Sequence, residues 1–175
     1  MELELGRGKR ARRAYGFDEV ALVPGRITIN PDEIDISTSI DGTGLTIPFL
    51  AAAMDGVVDT AFAAEMGRLG GLAVLNLDGV QTRYEDPSGV LREIADSPPD
   101  QVNTVLQRIY TAPVLDGLIG QRIEEVKRSG APCAVSTVPG MAERRAPIAG
   151  KLAADLMHDN FGIGRARKVM VIVGQ

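Results

Sequence analysis

A parallel α/β fold is predicted by three observations. An apolar run, Ile47 to Ala53, stops at Met54-Asp55-Gly56; an Ala-rich stretch from Ala61 to Leu69 has helical character; and a second apolar run, Leu72 to Leu77, begins directly after Gly70-Gly71. Strand, helix, strand in this order is one unit of a parallel sheet. Continuous rather than alternating apolar character suits strands covered on both faces.

The remaining elements follow from local signals. Residues 1–46 form an N-terminal arm and a lead-in segment, in which Ile34, Ile36 and Ile40 at even spacing predict a short half-buried strand or two, packed across the bottom or side of the sheet. Asp59 or Thr60 caps the first helix, and Phe62, Met66 and Leu69 at i, i+4 and i+7 form its expected apolar stripe. Gly70 ends it, because glycine takes the left-handed conformation favoured at a helix C-terminus. Asp86 followed by Pro87 starts a second helix, and Pro98-Pro99-Asp100 separates it from a third reaching Tyr110. Leu115, Ile119, Ile123 and Val126 mark a fourth, with Glu124 able to pair with Arg128 and Gly130 as its stop. Cys133 to Val138 is the third strand. Beyond Gly150 only Val169 to Val173 reads as a strand, and the expected strand near Ala154-Asp155-Leu156 is not spelled there.

Composition narrows the function. The chain has 175 residues, a net charge of -4, 45% hydrophobic and 4% aromatic residues and no Trp, which describes a soluble globular protein with an aliphatic core. That charge gives no general attraction to nucleic acid or an anionic membrane. Arg7, Lys9, Arg10, Arg12 and Arg13 concentrate positive charge at the terminus and are read as a solvated arm. No apolar segment reaches the roughly 18 residues of a membrane span, and no signal-peptide pattern opens the chain. One cysteine, Cys133, makes no internal disulfide, so a reducing cytoplasm is expected.

Four stretches carry a family resemblance: Phe17-Asp18-Glu19-Val20-Ala21-Leu22-Val23-Pro24, then Ala52-Ala53-Met54-Asp55, then Leu75-Asn76-Leu77-Asp78-Gly79 with Thr82-Arg83-Tyr84-Glu85-Asp86-Pro87, then Thr104-Val105-Leu106-Gln107-Arg108-Ile109-Tyr110. From about Arg12 to about Gly150 the chain resembles the inosine monophosphate dehydrogenase and guanosine monophosphate reductase family, in the branch without the CBS insertion. The resemblance implies a partial TIM (β/α)8 barrel, with residues 47–150 as its first three to four βα units. A whole barrel takes about 250 residues. Residues 151–175 are expected to be a divergent, truncated or frameshifted tail.

The resemblance also implies the chemistry. A thiolate attacks C2 of the purine and NAD takes the hydride, or NADPH delivers one in the reductases; complete members form homo-oligomers. The implied nucleotide-facing residues are Ala52, Ala53, Met54, Asn76 and Asp78, at the C-terminal ends of the first two strands, with Met54 beside the purine of IMP or GMP. Ala52 stands where dehydrogenases commonly present a serine. Asn76 and Asp78 are equally ordinary turn residues before Gly79. The Gly-Ser-x-Cys loop and the phosphate loops of the family do not occur in these 175 residues. Cys133 opens the third strand, at the end opposite the active face by roughly 15 Å, and is read as structural. The expectation is a purine nucleotide oxidoreductase fragment inactive alone; the alternatives are a reductase-type parent activity or a non-catalytic nucleotide-binding half-barrel.

Other pairings carry no site. His158 beside Asp159 lacks a positioned nucleophile, Gly162-Ile163-Gly164 lacks a third glycine and a preceding strand, and Glu124-Glu125 are read as a solvated face. No Cys/His cluster has metal spacing. A flavodoxin-like domain is the bland alternative, but Gly56 alone stands in the turn where it would hold phosphate.

Overall fold

The computed structural model describes residues 2–4, 10–40, 42–138, 140–142, 144, 145, 147–149 and 170–173. They fall into two compact units, Met1–Asp35 and Ile36–Gln175. In the smaller unit β1 (Glu2–Glu4) and β2 (Arg10–Arg12) pair antiparallel, with Leu3 opposite Ala11. Arg13 lies 4.9 Å from the ring centroid of Tyr15, and Gly16 N–H donates to Glu19 Oε2 at 2.9 Å, closing a turn. Pro31–Glu33 is a 3-10 turn. That turn lies just before the expected alternating stretch, of which only Thr38–Ile40 forms a strand. Ile34 and Ile36 are exposed accordingly.

The larger unit opens with a hairpin of β3 (Thr38–Ile40) and β4 (Thr43–Leu45), turned at Gly42 with φ +79°. Then come β5 (Leu50–Ala51), α1 (Thr60–Arg68), β6 (Leu72–Asn76), α2 (Pro87–Asp96), α3 (Val102–Thr111), α4 (Asp116–Arg128), β7 (Ala134–Thr137) and β8 (Met170–Val173). The last four strands form a parallel sheet in the order β5-β6-β7-β8, with Ala51 beside Ala73, Leu75 beside Val135 and Ser136 beside Ile172. This is a mixed α/β structure with a short parallel sheet and helices.

The first sheet strand is shorter than the apolar run Ile47 to Ala53. Pro48 interrupts the donors, and the amides of Thr46 and Ile47 donate instead to the Gly70 carbonyl, at 3.0 and 3.3 Å. Asp59 caps α1 as expected, accepting from the Phe62 amide at 2.7 Å, and Gly70 follows the helix at φ +90°. The buried face of α1 differs from the expected stripe. Phe62 and Leu69 are exposed, while Ala63 is buried and Met66 packs against the core. Gly67 sets the approach: a Cβ there would lie 2.4 Å from Cβ of Ala131. Small residues therefore line the contact, a pattern that a search for large apolar side chains passes over.

α4 keeps three of its four expected apolar positions, since Leu115 is the exposed N-cap before the helix. Ile119, Ile123 and Val126 are buried, Arg128 meets Glu124 at 2.7 Å, and Gly130 has φ +85°. Glu125, by contrast, is no solvated acid. It pairs at 3.0 Å with the buried Arg122, whose other donors reach the carbonyls of Gln81, Tyr84 and Glu85 and so brace the loop after β6.

Alternation along the strands sends side chains to two faces. Ala73, Leu75, Cys133 and Val135 join Ala63 of α1 and Ile119, Ile123 and Val126 of α4 in one cluster. Leu72, Val74 and Ala134 form another on the opposite face, covered by Leu45 and Ile40 of the hairpin and by Ala53. The hairpin thus covers this face of the sheet. Met170–Val173 forms a strand where the sequence has strand character; the segment near Ala154 and the remainder of the expected tail lie outside the described residues.

Candidate functional site

Parallel sheets bind ligands at the carboxyl ends of their strands, where backbone groups and loops converge. Here that edge is built from the turn after β5, the loop after β6, the end of β7 and the helical residues 140–142, 144, 145 and 147–149. The turn after β5 is tight. Met54 N–H donates to Ala52 C=O at 2.8 Å, and the Met54 carbonyl accepts from Val57 and Val58, both at 2.9 Å. This turns the Met54 side chain outward, 57% exposed, and leaves Ala52 exposed while Ala53 packs inward on the hairpin-side cluster.

Asp55 is the hub of this turn. Its carboxylate accepts from Asn76 Nδ2 at 3.1 Å, from the Val80 amide at 2.9 Å and from the Tyr110 hydroxyl at 2.5 Å. One carboxylate therefore ties β5, the β6 loop and α3. Gly79 makes room for it, since a Cβ there would lie 1.7 Å from Asp55 Oδ1. Burial, reinforced by the hydrogen bond to Asp55 and its charge, pushes the Tyr110 phenol up to about 12, with nearby Arg83 opposing. The phenol stays protonated and donates at any pH the protein meets.

Asp78 is a second hub. It accepts from the Thr137 hydroxyl and the Val138 amide, both at 2.9 Å, and pairs with Arg145. Arg145 also donates to Thr137 Oγ1 at 2.9 Å. Burial alone would raise the Asp78 carboxyl, but the hydrogen bonds from Arg145, Val138 and Thr137 outweigh it and hold the group below its ordinary value. Arg145 is itself buried, so Asp78 supplies the charge that makes its burial tolerable.

Of the sequence-predicted residues, Ala52, Ala53, Met54, Asn76 and Asp78 all sit at this edge. Met54 is the one that projects into open space. Asn76 and Asp78 are half-buried, and the Asp78 amide donates to Asn76 Oδ1 at 3.0 Å, which is the geometry of an Asx turn. Their side chains also bind partners across the edge, so the turn role is present and their polar atoms are engaged within the chain. Sequence reading missed Asp55, Tyr110, Thr137 and Arg145 as members. The available signal was Asp55 itself, an acid placed directly after a strand and before a glycine, where its side chain reaches neighbouring loops. Arg145 gave none, because its partner lies far off in sequence.

Cys133 is a free buried thiol immediately before β7, at the opposite edge, and burial pushes it up to about 11 against the opposing charge of Lys127. A thiol so placed is not a nucleophile for the polar edge. Among the described residues no group of acids, His and Cys is arranged to hold a metal ion, and no helix is long and apolar enough to cross a membrane. His158, Asp159, Gly162 and Gly164 lie outside the described residues.

The fold is mixed α/β, with a short parallel sheet whose strand ends carry polar loops, and the chain is similar to proteins named as oxidoreductases. An uncharacterized oxidoreductase of Mycobacterium bovis is 31% identical over 160 residues, covering 89% of this chain and 43% of that protein. A similar share is matched in an uncharacterized oxidoreductase of Mycobacterium leprae, at 32% identity. The inosine-5'-monophosphate dehydrogenase of Methanocaldococcus jannaschii is 44% identical over 66 residues, 38% of this chain and 13% of that enzyme. The crystal structure of an IMP dehydrogenase/GMP reductase-like protein from Corynebacterium glutamicum superposes with a TM-score of 0.72 at 30% identity, over 88% of this chain and 43% of that one. The family model for the IMP dehydrogenase / GMP reductase domain matches residues 14–144. The chain belongs to that family. It spans 43% of the length of these oxidoreductase relatives.

Proposed function

We propose that this chain forms the first three to four βα units of a TIM (β/α)8 barrel, and that its polar edge receives a purine nucleotide, IMP or GMP, in an oxidoreductase of guanine nucleotide metabolism. The observation that carries the reading is Met54: a large apolar side chain, 57% exposed at the end of β5, on a turn fixed by the bonds to Asp55. An apolar, polarizable side chain held open beside polar loops suits a flat heteroaromatic base. Ala52 leaves space next to it. Asn76 and Asp78 frame the site by holding the loop, and Ala53 seats the turn on the core.

The parent reaction is IMP + NAD+ + H2O to XMP + NADH + H+. It requires a thiolate at the site, and the one cysteine of this chain is buried at the other edge. Family membership implies a dinucleotide, NAD or NADP, but among the described residues the edge carboxylates Asp55 and Asp78 are bound to the chain's own donors, and Gly56 alone stands in the turn after β5. We read the 175-residue chain as a cytoplasmic, nucleotide-binding part with little or no dehydrogenase activity by itself, homo-oligomers being implied for complete members of the family.

The engaged carboxylates favour the same outcome, a non-catalytic half-barrel that binds nucleotide. Titration calorimetry with IMP and GMP, together with a dehydrogenase assay and a reductase assay using GMP and NADPH, tests binding and turnover separately. Binding without turnover is expected; absence of heat with both nucleotides overturns the nucleotide reading, and IMP-dependent NAD reduction overturns the inactivity.

A further inference from the structure

Two helices in the larger unit are not needed to connect the strands. The link from β5 to β6 uses α1 alone, and α4 performs the same service between β6 and β7, packing with α1 on one face of the sheet. α2 and α3 are an excursion from that path. Three bonds return the excursion to the loop it leaves: the Leu115 amide to the Thr82 carbonyl at 2.9 Å, the Tyr84 hydroxyl to the Ile109 carbonyl at 3.0 Å, and Arg83 to the Ala112 carbonyl. Another goes further. Tyr110 of α3 crosses to Asp55, the residue after Met54.

We propose that Tyr110 is a base-binding residue of the nucleotide site, its ring supplying a stacking surface for the purine base; this rests on the reading that places the base beside Met54. A tyrosine kept only for packing buries its ring. Tyr110 has its hydroxyl fully engaged and yet remains 39% exposed. The guanidinium of Arg83 lies over the ring, 5.7 Å from its centroid, and is itself held by the Asp78 carbonyl at 3.1 Å. The ring is thus pinned at its hydroxyl and backed by a cation on one face, a rigid aromatic group with few rotatable bonds. Such a platform accepts any purine by its π-face and leaves discrimination among bases to other contacts. The excursion then has a purpose: it carries an aromatic wall to a turn that β5 and β6 leave open on that side.

The test compares IMP with ribose 5-phosphate, which lacks the base, by calorimetry on the full chain and on Tyr110→Ala, Tyr110→Phe and Met54→Ala, with circular dichroism to verify folding. Tyr110→Ala is expected to weaken IMP about tenfold and to leave ribose 5-phosphate unchanged, as loss of one stacking partner requires. Tyr110→Phe keeps the ring and is expected to weaken IMP less than about threefold. If Tyr110→Ala weakens both ligands equally, or neither, the proposal fails while nucleotide binding at Met54 stands. A Phe variant as weak as the Ala variant also overturns it, by assigning the effect to the hydroxyl. If the native chain does not bind IMP, both readings fall; if it binds IMP and Met54→Ala is without effect while Tyr110→Ala is not, the Met54 reading falls and the stacking role stands.

Discussion

The two ends of the parallel sheet are held by different forces. At the N-terminal end Leu72 and Ala134 lie against Leu45 of the hairpin, and Cys133 sits buried beside them on the other face. At the C-terminal end Asp55, Asn76, Asp78, Thr137 and Arg145 bond to one another across three strands. Burial is nondirectional and tolerates exchange of shape for shape, whereas hydrogen-bonded charges fix positions to within tenths of an ångström. The apolar part supplies stability, and the polar end supplies a defined shape for a ligand.

Removing core volume tests the first half of this contrast. Ile119→Ala empties a fully buried position between α4 and the sheet and is expected to cost about 4 kcal/mol in chemical denaturation. A loss near zero would mean the helix layer does not hold the sheet. Next in size, Asp78→Asn keeps one acceptor oxygen, which Thr137 and Val138 already share, but leaves Arg145 buried without a counter-charge, at a cost of about 3 kcal/mol. Equal stability of the Asn variant would show Arg145 turning to solvent. Tyr110→Phe removes one bond to a carboxylate at a partly exposed position and is expected to cost about 1 kcal/mol, detectable as a lowered denaturation midpoint.

The smallest effect is in pH. Asp78 titrates below its ordinary value of 3.8 in the folded chain, so its contribution is complete above that value and is lost as pH falls through the lowered one. Thermal unfolding of the native chain should show this loss on the acid side, and Asp78→Asn should show less of it. Identical acid profiles would remove Asp78 from the account.

Much of this contrast was legible in the residue string. Asp59, Gly70, Asp86, Pro87 and Gly130 mark helix ends because caps and turns are local chemistry, decided within four residues. The third and fourth helices followed from Pro98-Pro99 and the Ile119, Ile123, Val126 spacing for the same reason. The face of α1 was not legible, because its contact depends on Gly67 meeting Ala131, a partner chosen by the fold. At the site the string marked the Met54 turn and the Asn76-Leu77-Asp78 loop but not their binding partners. The bonds from Tyr110 to Asp55 and from Arg145 to Asp78 span 55 and 67 residues, and no local propensity encodes them.

The strand order β5-β6-β7-β8 has a consequence for synthesis. Each strand lies beside the one translated before it, so a nascent chain leaving the ribosome meets its docking partner already made and never needs to hold a gap for a later arrival. The hairpin Thr38–Leu45 emerges earlier still and is ready to cover the first apolar face as it forms. Growth of this kind is vectorial: each new strand adds at one advancing margin, while the outer edge of β5 stays where it began.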